Sequence, residues 1–304
     1  MPTTEPAPDR SILGKNDDGR RFLTRGLGEL VPPAPREEQV SFLVTKEHRR
    51  FAEFADTVRR HRHVGLCWGP PGVGKTLSAR HYAGTDHWAR WQHTLTSGTD
   101  PGAVPERVLQ ARTAFWTPTV NASTREVDRA LPRACQEISY AVDYHQYGKV
   151  DPFVHPASAG SALTELLIID EADRLRTVGL EQVRDYYDRH RLGVILIGMP
   201  GIEKRLARYP QLYSRIGFAH EYRSLGPDEL TAVLTRRWQS DKHPDEDDLA
   251  QAAAITTVAR VTGGNFRLVD RLLTQIERIR QINHLPTVTP EVVEAAREAL
   301  LIGH

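Results

Sequence analysis

The hydrophobic positions of this chain follow two patterns, short continuous apolar runs and longer stretches with helical spacing. The continuous runs, interrupted only by glycine, cover Val64–Trp68, Leu166–Ile169 and Gly193–Gly198. Such runs are typical of parallel strands, because helices cover both faces of a parallel sheet. Stretches with helical spacing separate the runs. The pattern therefore predicts an α/β fold in which a doubly wound parallel sheet carries helices on both faces.

Capping residues and the spacing of apolar side chains predict the other elements before residue 226. Thr45 is a helix N-cap, and Phe51, Phe54, Ala55 and Val58 follow it with the spacing of one helix face. Further elements are predicted in the order strand 113–120, helix 125–144 with an interruption near Pro132, loop 148–160 and helix 179–190.

Only helical patterns follow Gly226-Pro227. Helices are predicted at 228–239, 245–261, 266–282 and 290–301, the last of them capped by Thr289-Pro290. At the other end of the chain, residues 1–40 are rich in proline, glycine and charge, so they are predicted to be extended or disordered in isolation. The chain is thus divided into an N-terminal arm (1–40), an α/β domain (41–225) and a small all-helical domain (226–304).

Composition limits the classes of function. The chain has 304 residues, 39% of them hydrophobic, and a net charge of +1, so a nucleic-acid surface would need a local basic patch. No apolar run approaches the roughly 18 residues that span a membrane, and no signal-type segment opens the chain, which predicts a cytoplasmic protein without membrane contact. The two cysteines, Cys67 and Cys135, form no disulfide framework, and Cys67 is predicted to be buried packing.

A glycine-rich segment directly after the first apolar run carries the most specific chemistry in the chain. It reads Gly-Pro-Pro-Gly-Val-Gly-Lys-Thr and matches the pattern G-x-x-x-x-G-K-[ST] between a strand and a helix. Its backbone N–H groups converge on one anion, its lysine adds a mobile positive charge, and its threonine hydroxyl is a ligand for Mg²⁺. We therefore predict a site for a nucleoside triphosphate, with a chance glycine-rich turn as the alternative. The predicted nucleotide-binding residues are Gly69, Pro70, Pro71, Gly72, Val73, Gly74, Lys75, Thr76 and Leu77.

The apolar run Leu166–Ile169 ends in two acidic residues, Asp170 and Glu171. An acid at the carboxyl end of a central strand can hold the water shell of Mg²⁺, which is the role predicted for Asp170 together with Thr76. Glu171 is placed to polarise the attacking water, so the sequence predicts hydrolysis of the nucleotide. A buried strand followed by a solvated acidic turn is the alternative.

These motifs, with a further buried strand and a helical lid, together resemble an AAA+ ATPase of the initiator branch over residues from about 40 to 304. Within that branch, the stretches 197–206, 209–217 and 262–267 resemble the TniB and TnsC group of transposon ATPases, relatives of the phage Mu B protein. The resemblance implies ATP as the nucleotide, slow ATPase activity stimulated by assembly, and self-association into a ring or helical filament. It also implies sequence-neutral binding to double-stranded DNA and a transposase or integrase as partner.

The resemblance also implies roles for single residues. Arg215 resembles the arginine finger that reaches the γ-phosphate in the neighbouring subunit, and Arg267 resembles the sensor arginine of the lid. The respective alternatives are an arginine on a solvated turn and a helix residue that pairs with an acid. Asn121, after the second strand, is the candidate for restraining Glu171, although asparagine is also common at strand ends.

The end of the strand Gly193–Gly198 departs from the family pattern. Many AAA+ proteins carry a polar sensor residue at this place, whereas this chain has Gly198-Met199. Direct contact between this strand and the γ-phosphate is therefore not expected, and slow turnover would fit that departure.

The leading hypothesis is an ATP-dependent regulator of transposition, which assembles on double-stranded DNA with ATP, selects the target, recruits or activates a transposase, and is released by ATP hydrolysis. Its predicted DNA contacts rest on position and charge, and they are Arg107, Arg112, Arg125 and Arg129. The second hypothesis is a nucleotide-dependent switch that binds a protein partner without DNA, which the near-neutral net charge permits. A small-molecule kinase is the third, and the arginine-finger candidate and the helical lid argue against it.

Overall fold

The structure is a computed structural model that describes residues 42–148, 162–239, 248–285 and 287–300. The arm predicted over 1–40 and nearly all of the loop predicted over 148–160 lie outside these ranges. So do the predicted start of one helix at residue 245 and the predicted end of the last helix at residue 301.

The centre of the fold is a parallel sheet. The strands found among the described residues are β1 (Val64–Trp68), β2 (Thr113–Trp116), β3 (Leu166–Ile169), β4 (Gly193–Gly198) and β5 (Ile216–Glu221). They lie in the order β2-β3-β4-β1-β5, and each neighbouring pair is parallel. The α/β fold with a parallel sheet, predicted from the continuous apolar runs, is confirmed.

Helices cover both faces of this sheet. In chain order, the α-helices found among the described residues before 226 are α1 (Lys46–His61), α2 (Lys75–Ala83), α3 (Thr85–Thr96), α4 (Glu106–Ala111), α5 (Thr124–Tyr147), α6 (Thr177–His190), α7 (Ile202–Leu206) and α8 (Pro210–Tyr213). The side chains of β3 show the two-sided burial, since Leu166 and Ile168 pack with α1 and α2, whereas Leu167 and Ile169 pack with α5 and α6. All four are fully buried, and each such side chain contributes about 1.5–3 kcal/mol.

The start of α1 agrees with the capping prediction. The Oγ1 atom of Thr45 accepts a hydrogen bond from the backbone N–H of His48 at 3.0 Å, which satisfies one of the free donors of the first turn. Phe51, Ala55 and Val58 then form the buried stripe of the helix against the sheet. The cap and the stripe fix how α1 covers the strand that follows it.

Two predictions about α5 and β2 are wrong. The helix does not break at Pro132, because its buried stripe of Val127, Leu131 and Cys135 packs against the sheet on either side of the proline. The carbonyl group of Asp128, which loses its helical donor to the proline, is on an exposed residue where water can bond to it. The strand predicted to reach residue 120 ends at Trp116, since Thr117-Pro118 lacks the next ladder donor.

The strand β5 was not predicted. Its residues alternate between partly buried and exposed, and it lies at the edge of the sheet beside β1. Such an edge strand lacks the continuous apolar run that marks the central strands. Its position fixes Arg215, the residue that precedes it.

The secondary-structure elements that the structure describes after residue 226 are helices joined by short turns. The helices are α9 (Pro227–Gln239), α10 (Asp248–Thr262), α11 (Phe266–Asn283) and α12 (Pro290–Glu298), and they share an apolar cluster of their own. Contacts nevertheless group Gln39–His304 into one compact unit, so the domain boundary at residue 226 remains a prediction. Within the described ranges, no helix has the length and apolar character needed to cross a membrane.

Candidate nucleotide-binding site

The glycine-rich segment forms a tight loop between the end of β1 and the start of α2. Gly72 and Gly74 have φ angles of 79° and 109°, in the left-handed region that side chains other than glycine rarely adopt. Lys75 is the first residue of α2, so the free N–H groups of the first helical turn lie beside the loop. A loop of this shape at a helix N-terminus is a binding site for phosphate groups.

Close packing also requires glycine in this loop. A Cβ atom on Gly69 would clash with the carbonyl oxygen of Tyr222, which follows β5. A Cβ atom on Gly72 would lie 2.6 Å from Oδ1 of Asn265 and 2.9 Å from Cβ of Arg267, both near the start of α11. The loop is therefore held between the sheet edge and the C-terminal helices.

Lys75 is a buried cation in this loop. Its Nζ atom donates to the carbonyl oxygens of Gly69 at 2.6 Å and Pro70 at 2.8 Å. Burial lowers the pKa of Lys75, and the nearby charge of Arg267 lowers it further, although Asp170 opposes both effects. Lys75 and Arg267 both place positive charge beside the loop, which suits the binding of a phosphate.

Thr76 and Asp170 meet across the fold. The Oγ1 atom of Thr76 donates to Oδ2 of Asp170 at 2.8 Å. Asp170 is 3% exposed, and burial raises the pKa of its carboxyl group. A hydroxyl and a carboxylate at the edge of a phosphate loop are oxygen ligands that suit Mg²⁺ and its water shell. The residues that the sequence predicted for the metal therefore fit that ion.

Glu171 stands beside this pair in a strained conformation. Its φ angle is 50°, which costs a residue other than glycine about 1 kcal/mol or more. Its carboxylate forms an ion pair with Arg174, whose Nη1 atom donates to the carbonyl oxygen of Pro118 at 2.9 Å. Among the described residues, no hydrogen bond joins Glu171 to Asn121, which is exposed in the same loop as Pro118. The residue that contacts Glu171 is thus Arg174, which sequence reasoning missed.

A carboxylate occupies the end of β4, where the sequence has no polar sensor residue. Oδ2 of Asp173 accepts a hydrogen bond from the backbone N–H of Met199 at 2.7 Å. A Cβ atom on Gly198 would lie 2.8 Å from the same oxygen, so glycine leaves room for this contact. The negative charge of Asp173 also acts on Lys75, where it partly offsets the lowering of the pKa by burial. The polar group at the end of β4 therefore comes from Asp173, in the acidic segment that follows β3.

The start of α11 touches the phosphate loop directly. The backbone N–H of Arg267 donates to the carbonyl oxygen of Gly72 at 2.9 Å, and Nδ2 of Asn265 donates to that of Pro71 at 2.8 Å. The side chain of Arg267 is exposed at this contact. The structure thus brings Arg267 beside the loop, where a lid arginine would have to be. Asn265 is a further residue of this contact that sequence reasoning did not single out.

Arg215 lies far from the phosphate loop of its own chain. Its carbonyl oxygen accepts a hydrogen bond from the N–H of Val64, the first residue of β1. The strand then runs for five residues, about 16 Å, before the loop begins at Gly69. That distance exceeds the reach of an arginine side chain. Any contact between Arg215 and the phosphates of a nucleotide would therefore be with a nucleotide bound by another copy.

The four arginines predicted to contact DNA do not form one surface. Arg112 ends α4 just before β2 and pairs with Glu165 at 3.4 Å. Arg125 and Arg129 are exposed in the first turns of α5, which begins beyond the opposite end of β2. Arg107 lies in α4, and burial lowers its pKa. Of the four, the structure brings Arg125 and Arg129 together. They lie at the carboxyl end of the strands, as the phosphate loop does.

The sheet, the phosphate loop and the acidic strand end define a P-loop protein of the AAA+ class. The AAA domain family matches residues 58–206 of the chain. A potential ATP-binding protein of Staphylococcus aureus is 41% identical over 275 residues, which cover 86% of this chain and 97% of that protein. The chain belongs to the same family as this protein.

More distant similarity extends to other proteins. The ATP-dependent target DNA activator B of Escherichia phage Mu is 24% identical over 269 residues, which cover 84% of this chain and 74% of that protein. Among solved structures, the RuvB Holliday junction branch migration motor of Thermotoga maritima matches with a TM-score of 0.52 at 17% identity. The match covers 90% of this chain and 74% of that one, and at this identity it shows the fold alone.

Proposed function

We propose that this protein is an ATP-dependent, DNA-binding regulator of transposition of the TniB and TnsC group. It assembles on double-stranded DNA when ATP is bound, presents that DNA to a transposase or integrase, and is released by hydrolysis. The observation that carries the proposal is the similarity to the ATP-dependent target DNA activator B, which spans most of both chains. The family and the phosphate loop support ATP as the ligand.

Each residue of the candidate site has a role in this proposal. Lys75 and the loop amides bind the phosphates, while Thr76 and Asp170 hold Mg²⁺ through its oxygen shell. Glu171 polarises the attacking water, and Arg267 contacts the γ-phosphate from α11. Bound Mg²⁺ would neutralise charge on the phosphates, and the side chains named above would perform the remaining roles.

Assembly and hydrolysis are linked through Arg215. This residue lies at the opposite end of β1 from its own phosphate loop, which supports a role in the site of a neighbouring copy. An arginine supplied in trans stabilises the charge that develops on the transferred phosphoryl group. Arg215→Ala should therefore slow hydrolysis and leave ATP binding intact, and equal turnover by the two proteins would exclude the role.

DNA binding is proposed to be independent of sequence, through contacts to phosphates. Arg125 and Arg129 are the best placed of the four predicted arginines, because both are exposed on the same end of α5. The double variant Arg125→Ala/Arg129→Ala should bind duplex DNA more weakly and with a shallower salt dependence. Arg133→Ala is the matched control, because Arg133 lies on the same helix and pairs with Glu137 at 3.1 Å. Equal DNA binding by both variants would remove Arg125 and Arg129 from the interface.

The proposal as a whole is tested by sedimentation with random-sequence duplex DNA. The protein should form large complexes with DNA in a non-hydrolysable ATP analogue and should remain free in ADP. Absence of DNA from the pellet in both nucleotides would contradict the proposal. It would instead favour the second hypothesis, a nucleotide-dependent switch that acts on a protein partner.

A further inference from the structure

The guanidinium group of Arg215 is held by a carboxylate on α6. Nε of Arg215 donates to Oδ1 of Asp188 at 2.9 Å, and Nη2 donates to Oδ2 at 2.9 Å. Two parallel bonds of this kind fix both the position and the plane of a guanidinium group. On the other side, Nη1 donates to the carbonyl oxygen of Gln211 at 2.5 Å. Asp188 is therefore the acid that determines where the charged end of Arg215 points.

Asp188 lies within a basic surface. It also accepts a hydrogen bond from Nη1 of Arg184 at 2.7 Å, and it lines a surface depression together with Arg62, Tyr187 and Arg191. Positive charge therefore exceeds negative charge around it, as suits a surface that meets phosphate groups. The hydroxyl of Tyr187 donates to the carbonyl oxygen of Arg62 at 3.0 Å, which ties α6 to the chain just before β1.

We propose that Asp188 is a positioning residue, which orders Arg215 before it reaches the nucleotide of a neighbouring subunit. The inference rests on the proposed action of Arg215 in trans. A free arginine side chain must lose much rotamer freedom when it binds a phosphate, and the pair with Asp188 has removed that freedom in advance. The hydrogen bond from Arg215 also keeps the pKa of Asp188 below its ordinary value, so the acid is charged at neutral pH.

The pair leaves part of the guanidinium group available to a phosphate. Asp188 occupies Nε and one N–H of Nη2, so the second N–H of Nη2 is not used by this pair. The bond from Nη1 to the hydroxyl of Ser214 is 3.2 Å long and lies on an exposed residue, so a charged phosphate oxygen can replace it. Arg215 can thus contact the partner nucleotide without releasing Asp188.

Mixed assemblies separate the two sides of one interface. Glu171→Gln subunits bind ATP without hydrolysing it and still present Arg215. Arg215→Ala subunits keep an intact ATP site but present no finger. Mixing the two should restore turnover, which then occurs only where an Arg215→Ala site faces the Arg215 of a Glu171→Gln subunit. Asp188→Asn is then introduced into either subunit of the mixture.

Asp188→Asn in the Glu171→Gln subunit should lower the recovered kcat about five- to tenfold, with KM for ATP unchanged, because only an ordered arginine is lost. The same change in the Arg215→Ala subunit should have no effect. Asp185→Asn is the matched control, since Asp185 pairs with Arg189 on the same helix and should be neutral in both subunits.

Equal losses from Asp188→Asn in both subunits would show a structural role and overturn the inference. An undiminished or increased kcat when the change is in the Glu171→Gln subunit would also overturn the inference. Failure of the parent mixture to recover any turnover is a different result. It would overturn the action of Arg215 in trans, and the role of Asp188 with it.

Discussion

Replacing Arg174 by alanine should raise ATP turnover in the absence of DNA. The ion pair with Arg174 and the bond from Arg174 to Pro118 hold the carboxylate of Glu171 against the loop after β2. A carboxylate held in this pair cannot at the same time polarise a water at the γ-phosphate. Without Arg174, Glu171 would be free for that role more of the time.

The size of the effect follows from the exposure of the pair. The side chains of Arg174 and Glu171 are 34% and 48% exposed, so solvent screens their attraction. An exposed pair of this kind contributes about 0.2–1 kcal/mol. A difference of about 1.4 kcal/mol corresponds to a factor of ten in rate, so the expected rise is at most about fivefold.

The assay is steady-state phosphate release at saturating ATP, without and with duplex DNA. Arg174→Ala should raise the DNA-free rate and reduce the further stimulation by DNA. Arg176→Ala is the control, because Arg176 is an exposed neighbour for which no ion pair is found among the described residues. If the DNA-free rate of Arg174→Ala is unchanged or lower, Arg174 does not restrain Glu171.

Three further predictions concern the nucleotide site and stability. Lys75→Ala should abolish ATP binding in calorimetry, and retained affinity would contradict the role of this cation. Glu171→Gln should bind ATP and prolong the ATP-bound assembly in sedimentation, whereas dissociation at the wild-type rate would contradict its role. Burial lowers the pKa of His48 and His81 to about 4, so the unfolded chain takes up protons first as pH falls from 6.5. The melting temperature should therefore fall as the pH is lowered from 6.5 to about 4. It should fall less steeply in His81→Asn than in the exposed-site control His93→Asn. Identical slopes in the two variants would contradict this prediction.

The residues of the phosphate site were predictable because local sequence order specifies their placement. Lys75 and Thr76 must follow a glycine turn at the start of a helix, and Asp170 must end a buried strand. In a parallel sheet the carboxyl ends of all strands meet at one edge. The bond between Thr76 and Asp170 follows from that geometry, although 94 positions separate them.

The partners of charged side chains were not predictable in the same way. Arg174 and Asp188 lie in polar stretches of a kind that is common on solvated surfaces. Only the folded structure shows that Arg174 pairs with Glu171 and that Asp188 pairs with Arg215. Sequence position alone also did not show that Arg112 precedes β2 whereas Arg125 follows it, at opposite ends of the strand.

The central claim is that ATP hydrolysis depends on assembly on DNA. It is tested most directly by the turnover per subunit, measured across a range of protein concentrations with and without random-sequence duplex DNA. We predict that the rate per subunit rises with protein concentration and rises further with DNA, because the proposed mechanism completes each site with Arg215 of a neighbouring subunit. A rate per subunit that is independent of both concentration and DNA would contradict the account.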